Sequence, residues 1–462
     1  MESSRVKARR SMQPDGGDRQ EQFLAEGKAI RHRVPRQDHA VWNASARSID
    51  PLAVIRSMEA RRLPELLPLR YERMSRSPFA YFRGVAAVNA ADVACCPVTG
   101  IVSQACGDCH PGNFGMFASP ERRLLFDIID FDETLQASWE FDVKRLAAGF
   151  VLLARGQGRS RSDEREVVET LVRSYREHLA EYARMSPLDV WYASLDSKTI
   201  IEGADDDETR SQLADFERVA RQHTADKLIQ KMVVSGDDGP VFRDEPPALT
   251  RLLPDSPAGA AFRAAFARYP ATLAEERRFL LSRYRLCDVA FKVVGIGSVG
   301  TRCGVGLFMS AAGEPLFLQI KEACPSVLRD HVAAAAIENE GRRVALGQRT
   351  MQSASDMFLG WASDDEGRHY SIRQLRDMRK SIPEELLGGA LLGHFAGMCG
   401  WALARAHAKG GNAAMLTGYF GSGEHIDKAL AAFAAAYADQ CELDFDRFRQ
   451  AIARGEFRGE HE

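Results

Sequence analysis

The alternation of apolar and polar positions changes period along the chain, and each change marks an expected element. Residues 1–26 are charged and apolar-poor, carry the breaker cluster PDGGD, and predict a disordered tail. Apolar spacing over Pro51–Arg70 predicts a helix stopped by Pro64 and Pro68. SPFAYFRGVAAVNAADVACC predicts another, with Ser77 as cap and Pro78 in its first turn. GIVSQACGD and RLLFDIIDFDE then read as two strands around the turn HPGNFG, expected to form a hairpin whose ends carry acids. From WEFDVKRLAAGFVLLARG to about Arg285 the pattern is mostly helical, broken by the polar loops EGADDDETRS and VSGDDGP.

The period then shortens. Residues 289–323 alternate apolar and small side chains around glycines and predict three strands joined by tight turns. A helix is expected over Asp330–Met351, followed by strands in DMFLGWAS and RHYSIRQL. Helices return in LLGHFAGMCGWALARAHAKGG and HIDKALAAFAAAYADQCELDFDRFRQAI. The pattern divides the chain into the tail 1–26, a helical part 27–285 holding the acid-rich turns, a β-rich part 286–385 and a helical remainder 386–462. The class is α+β.

Composition narrows what such a chain does. At 462 residues and 45% hydrophobic content it buries a large core, enough for roughly two to three domains or lobes. A net charge of −3 gives no overall field toward nucleic acid or a membrane surface. No apolar run approaches the ~18 residues of a spanning helix, and the N-terminal stretch lacks the apolar core of a secretory signal. A cytoplasmic chain is expected. Nine cysteines, an odd number, fit reduced thiols rather than a disulfide framework. Cys106, Cys109 and His110 do spell C-x-x-C-H, a haem-attachment signature, but that chemistry belongs outside the cytoplasm, and no haem is expected.

The same stretch, QACGDCHPGNFG, holds Asp108 and, five residues on, Asn113. Phosphoryl transfer from ATP needs a carboxylate near the accepting hydroxyl and oxygen ligands that hold Mg²⁺ on the phosphates. Asp108 suits the first role, Asn113 and Asp130 the second, because one turn sets both ligands on neighbouring backbone. Asp127, Asp132 and Glu133 crowd Asp130 and stay open as alternatives for the metal.

VVGIGSVGTR places G-x-G-x-x-G at Gly295, Gly297 and Gly300. A dinucleotide fold requires a helix directly after Gly300 and an acid about twenty residues on. Glu322 meets the spacing, but Gly304 and Gly306 would each cost such a helix about 1 kcal/mol, so a strand is expected. A glycine turn between strands, Ser298 included, is then a cover for phosphates, and Lys321 in LFLQIKEA a grip on them. The partner acid of Lys321 is expected on the next helix, at Glu340 in preference to Glu338.

GDCHPGN, IDFDE and WEFDVKRLA resemble the G-D-x-H-P-x-N, I-D-F and D-L-A series of the aminoglycoside and choline kinase-like branch of the protein-kinase superfold. The resemblance implies two lobes, ATP and Mg²⁺ as cofactors, Asp108 as the catalytic Asp, Asn113 and Asp130 as metal ligands, and Asp142 as a brace for the catalytic loop. His110 stands where protein kinases usually carry Lys. In that superfold the glycine loop and lysine precede the catalytic loop; here they follow it. CGWALARAHAKGG, which resembles the helix leading into that loop, lies near the end. The expected architecture is therefore a circularly permuted, two-lobed protein-kinase-like fold with the C-lobe catalytic loop before the N-lobe glycine loop.

Past residue 27 the chain is also similar to the bacterial family of domain of unknown function 2252, through SPFAYFRGVAA, CGDCHPGNFG, FDIIDFDET, VVGIGSVGTR, FLQIKEA, SDMFLGW, IRQLRDM and GWALARAHA. Members commonly show A-R-S-G-D where this chain has AKGGN, with Asn412 in place of the acid. The expected function is an ATP- and Mg²⁺-dependent phosphotransferase acting on a small-molecule acceptor. AMP transfer on the same fold, a nucleotide-binding pseudoenzyme and a Rossmann-type oxidoreductase are the rivals. The expected partners are a nucleotide and that acceptor, with no nucleic acid, membrane or haem.

Overall fold

A computed structural model describes residues 16–457, apart from 224, 238, 294, 334, 376 and 377. Five helices lead: α1 (Gly16–Ile30), α2 (Pro51–Glu59), α3 (Leu67–Met74), α4 (Pro78–Gly84) and α5 (Ala86–Ala94). Asp50 caps α2 through the Ala53 amide and Ser77 caps α4 through the Ala80 amide, each just before a proline that needs no donor. Four short strands follow, β1 (Val102–Ala105), β2 (Phe114–Ala118), β3 (Leu124–Ile128) and β4 (Leu135–Ser138). Beyond them come α6 (Glu140–Gly156), α7 (Arg161–Tyr182), α8 (Pro187–Tyr192), β5 (Leu195–Asp196), α9 (Ser197–Glu202), α10 (Asp207–Arg221) and α11 (Ala225–Met232).

The middle of the chain is strand-rich: β6 (Val233–Gly236), β7 (Gly239–Phe242), β8 (Leu249–Arg251), then α12 (Pro257–Arg268), α13 (Glu275–Leu281), β9 (Tyr284–Lys292), β10 (Cys303–Ser310) and β11 (Pro315–Glu322). The chain continues through α14 (Glu340–Met351), β12 (Gly360–Ser363), β13 (His369–Gln374) and β14 (Lys380–Ser381), and closes with α15 (Leu391–Gly410), α16 (Ala413–Phe420) and α17 (His425–Ala453). Helix outweighs strand, 54% against 16%, and every sheet is antiparallel, which makes the class α+β.

Two cores organise these elements. The larger packs α6, α7, α15 and α17 around Phe150, Phe395, Tyr175 and Trp139, with the sheet β14-β2-β3-β5 against it. The smaller lies on the six-stranded sheet β12-β13-β11-β10-β9-β8, where Phe262, Phe266 and Tyr269 cover Tyr370 and Leu318. Burying large aromatic and aliphatic surface on one face of each sheet is the main driving force here. Gly341, at the start of α14, is required by this packing: a Cβ there would stand 2.2 Å from the Tyr370 carbonyl oxygen.

Several expectations change. The strands around HPGNFG do not pair with each other. β1 pairs with β4, and β2, inside the stretch read as a turn, forms the hairpin with β3. VSGDDGP is the hairpin β6–β7 rather than a loop. The expected tail overlaps α1 from Gly16, while its residues 1–15 lie outside the described residues. The helix expected from Asp330 begins at Glu340, where Asn339 accepts from the Arg342 amide as its cap. After Gly300 the chain enters strand β10, as the glycines at 304 and 306 require. Gly306 in β10 leaves room for the Phe266 ring, which a Cβ would approach to 2.8 Å.

Candidate active site

The loop after β1 is built by backbone capture. Asp142, in the first turn of α6, accepts from the Cys106 amide at 2.7 Å and the Gly107 amide at 2.9 Å. His407 of α15 stands 3.1 Å from the same carboxylate, and its other ring nitrogen meets the Tyr175 hydroxyl at 2.7 Å. Gly107 has φ +81°, and a Cβ there would stand 2.3 Å from the Glu133 carbonyl, so only glycine fits this turn. The turn delivers Asp108 into the cleft. Its Oδ1 accepts from Arg145 Nε at 2.8 Å, while Oδ2 lies 3.8 Å from His110 Nε2. Burial, reinforced by Arg83 and Arg145, holds the His110 imidazole well below its usual pKa and therefore neutral.

Asn113 closes the loop: its Nδ2 donates to the Asp108 carbonyl at 2.8 Å, and the Ile129 amide donates to the Asn113 carbonyl. That bond joins the loop to the end of β3, so Asn113 and Asp130 both line one cleft. Lys321, at the end of β11, reaches across to them. Its Nζ stands 2.8 Å from Asp132 Oδ2 and 3.4 Å from Asp130 Oδ2. Burial alone would raise the Asp130 pKa, but the charges of Lys321, Arg373 and Arg379 outweigh it and hold the carboxyl well below its usual range. Burial likewise disfavours the Lys321 ammonium, and Asp130 and Asp132 reverse that effect.

The glycine loop forms the roof and is tied down from outside. Arg70 Nη1 donates to the Ile296 carbonyl at 2.9 Å, Arg62 Nη2 to that of Gly297 at 3.0 Å, and the Leu63 amide to that of Gly300 at 2.8 Å. Gly300 has φ +90°, the left-handed region that favours glycine. Ser298 Oγ reaches Asp132 Oδ2 at 3.4 Å, so roof and floor meet. Gly295 is open on its side-chain face, and a Cβ on Gly297 would come within 3.8 Å of Asp108 Oδ2. The cleft measures about 1150 Å³.

Asp108, Asn113, Asp130, Gly295, Gly297, Ser298 and Lys321 thus line one space, from elements far apart in the chain. Gly300 closes the loop beside them. Glu340 is not part of it as the lysine's partner: it pairs with Arg343, three residues on in α14, and with Arg329 at 2.9 Å. Asp132 pairs with Lys321 instead. Asp127, one of the acids open for the metal, is fully buried and held by Arg405 at 2.8 Å, away from the cleft. Cys106 and Cys109 are core residues, the Cys106 thiol facing the Asp130 carbonyl at 3.3 Å. Asn412 caps α16 through the Met415 amide.

Arg145 is a site residue that motif reading misses, and Asp132 and Glu133 enter it only as alternatives for the metal. Arg145 has one usable signal, its place three residues after Asp142 on the same face of α6. Glu133 lies in the cleft, where burial lifts its carboxyl to about 7 despite the Val327 amide donating to it at 2.7 Å. Among the described residues no cluster of three or more His, Cys, Asp or Glu side chains has the arrangement of a metal site. Asn113 and Asp130 are hard oxygen donors, too few alone to enclose an ion but suited to one that also binds phosphate oxygens.

The fold and site define a mixed α+β protein with an acid- and lysine-lined cleft roofed by a glycine loop. Residues 62–451 match a family described as uncharacterized proteins conserved in bacteria, domain of unknown function 2252, and the chain belongs to that family. No curated protein and no solved structure matches it. No helix of the described residues is long and apolar enough to cross a membrane.

Proposed function

We propose that the chain is an ATP- and Mg²⁺-dependent phosphotransferase with a circularly permuted, protein-kinase-like fold, acting on a small-molecule acceptor. The observation that carries this reading is the meeting of Lys321 with Asp130 and Asp132 beneath the 295–300 loop, beside Asp108. The permutation is supported at its joint. The end of α15 lies on β1, where a Cβ on Gly411 would stand 2.6 Å from that of Ser103, and His407 of α15 braces Asp142. The last helix before the catalytic loop in the ordinary order is therefore its neighbour in space here.

Mg²⁺ bound with ATP would neutralise phosphate charge and hold the chain of phosphates in line. The rest is chemistry of the side chains. Asp108, fixed by Arg145, orients the acceptor hydroxyl and takes its proton. Asn113 and Asp130 offer the metal-facing oxygens, and Lys321 offers a buried cation to phosphate oxygens. Which phosphorus faces Asp108 decides the group transferred: the terminal phosphoryl in one orientation of ATP, AMP in the other.

Calorimetry of ATP binding with and without Mg²⁺ tests the reading. Wild-type chain should bind ATP in a Mg²⁺-dependent manner, and Asp130→Ala and Lys321→Ala should each weaken binding about tenfold or more. Absence of binding to the wild type would overturn it.

A further inference from the structure

The two ends of the cleft differ in chemistry. One end lies where β13 runs toward β14. There Gln319, 5% exposed on β11, accepts from Arg373 Nε at 3.2 Å, and Arg373 Nη1 donates to the Ile129 carbonyl at 3.2 Å. Arg379 lines the same wall and makes no hydrogen bond or ion pair to a described residue. Burial, with Arg373 beside it, lowers its pKa to about 9. Two guanidinium groups on one wall of the cleft, Arg379 without a hydrogen-bonded partner among the described residues, offer donors to an anion. Leu375 and Val293 also line this end, so what distinguishes it is the pair of guanidinium groups rather than a lack of apolar surface.

The other end is lined by Val54 and Met58 of α2, Ala87 and Ala91 of α5, and Val327. Of its nearby cations, Arg62 holds the glycine-loop carbonyls and Arg329 holds Glu340, while Arg61 stands exposed at the rim. This is an apolar slot with Glu133 at its edge, and it suits a base and sugar.

Resting on the phosphotransferase reading, we propose that the nucleotide lies with its β- and γ-phosphates against Arg373 and Arg379 and its nucleoside against α2 and α5. The α-phosphorus then faces Asp108, and the transferred group is AMP. The acceptor oxygen forms a bond to the α-phosphorus and its proton passes to the Asp108 carboxylate. The bond from the α-phosphorus to the oxygen bridging it to the β-phosphorus breaks, and the electron pair leaves with pyrophosphate beside the two arginines.

Calorimetry on the full chain with Mg²⁺, using ATP, inorganic tripolyphosphate and adenosine as separate probes, tests the orientation. Arg379→Gln should weaken tripolyphosphate and ATP about tenfold and change adenosine by less than about twofold. Ala87→Phe, which fills the apolar slot, should do the reverse, weakening adenosine and ATP about tenfold while sparing tripolyphosphate. If ATP still binds but Arg379→Gln weakens adenosine and spares tripolyphosphate, the base sits at the arginine end and this orientation is wrong, with the nucleotide site intact. If wild-type chain binds neither ATP nor tripolyphosphate, the nucleotide site itself is refuted, and the orientation with it.

Discussion

Single residues set the loop after β1. Asp142 is fully buried and satisfies two amides that have no other acceptor in the turn. Asp142→Ala leaves both donors unpaired and should cost about 3 kcal/mol of folding stability, read by urea unfolding. Glu133 is a second lever. Burial lifts its carboxyl from the ordinary 4.5 to about 7, so the folded chain keeps a proton that the unfolded chain has released. Its contribution is full below about pH 4.5 and is lost as pH rises through about 7. The stability difference between wild type and Glu133→Gln should therefore shrink or reverse from pH 5 to pH 8; a constant difference would contradict the assignment. At this scale the motifs point to residues that meet in one cleft, Asp108, Asn113, Asp130 and Lys321. The sequence was not readable where a partner is chosen by packing. Glu340 has the right spacing for Lys321, but Arg343 lies on its own helix face and takes it, while Asp132 reaches the lysine from the turn after β3, far away in the chain.

Elements carry the roof of the cleft. The glycine loop has few contacts of its own and takes its position from α3, through the buried Arg70, which also donates to the Gly84 carbonyl at 2.6 Å. Arg70→Ala should free the loop, lower ATP affinity about tenfold by calorimetry and cost about 3 kcal/mol on unfolding. An unchanged affinity would show that the loop holds itself. Long periodic elements such as α7, α15 and α17 were legible because burial of one face fixes both period and position, and β9–β11, the last two buried on both faces, were legible from the glycine-punctuated apolar runs. Short ones were not. β2 is buried throughout and shows no alternation, so its first two residues fall in the turn HPGNFG and the rest in no predicted element. The pairing of β1 with β4 instead of β3 depends on where α6 places the loop, which no local pattern records.

For the whole molecule, the account rests on two halves of a nucleotide site contributed in reversed chain order. The larger core holds the acids, the smaller core's sheet holds the lysine and glycine loop, and they meet at the cleft and along α14. The cyclic rearrangement proposed above requires the rejoined ends to lie together, and the end of α15 does lie beside the start of β1. The order of the motifs was visible in the sequence; their meeting in one cleft needed three dimensions. The most direct measurement is a crystal structure of the chain with Mg²⁺ and a non-hydrolysable ATP analogue. The account predicts the triphosphate between Lys321, Asp130 and the Gly295–Gly300 loop, with Mg²⁺ on Asn113 and Asp130. An analogue bound outside this cleft, or phosphates that touch neither Lys321 nor the glycine loop, would contradict it.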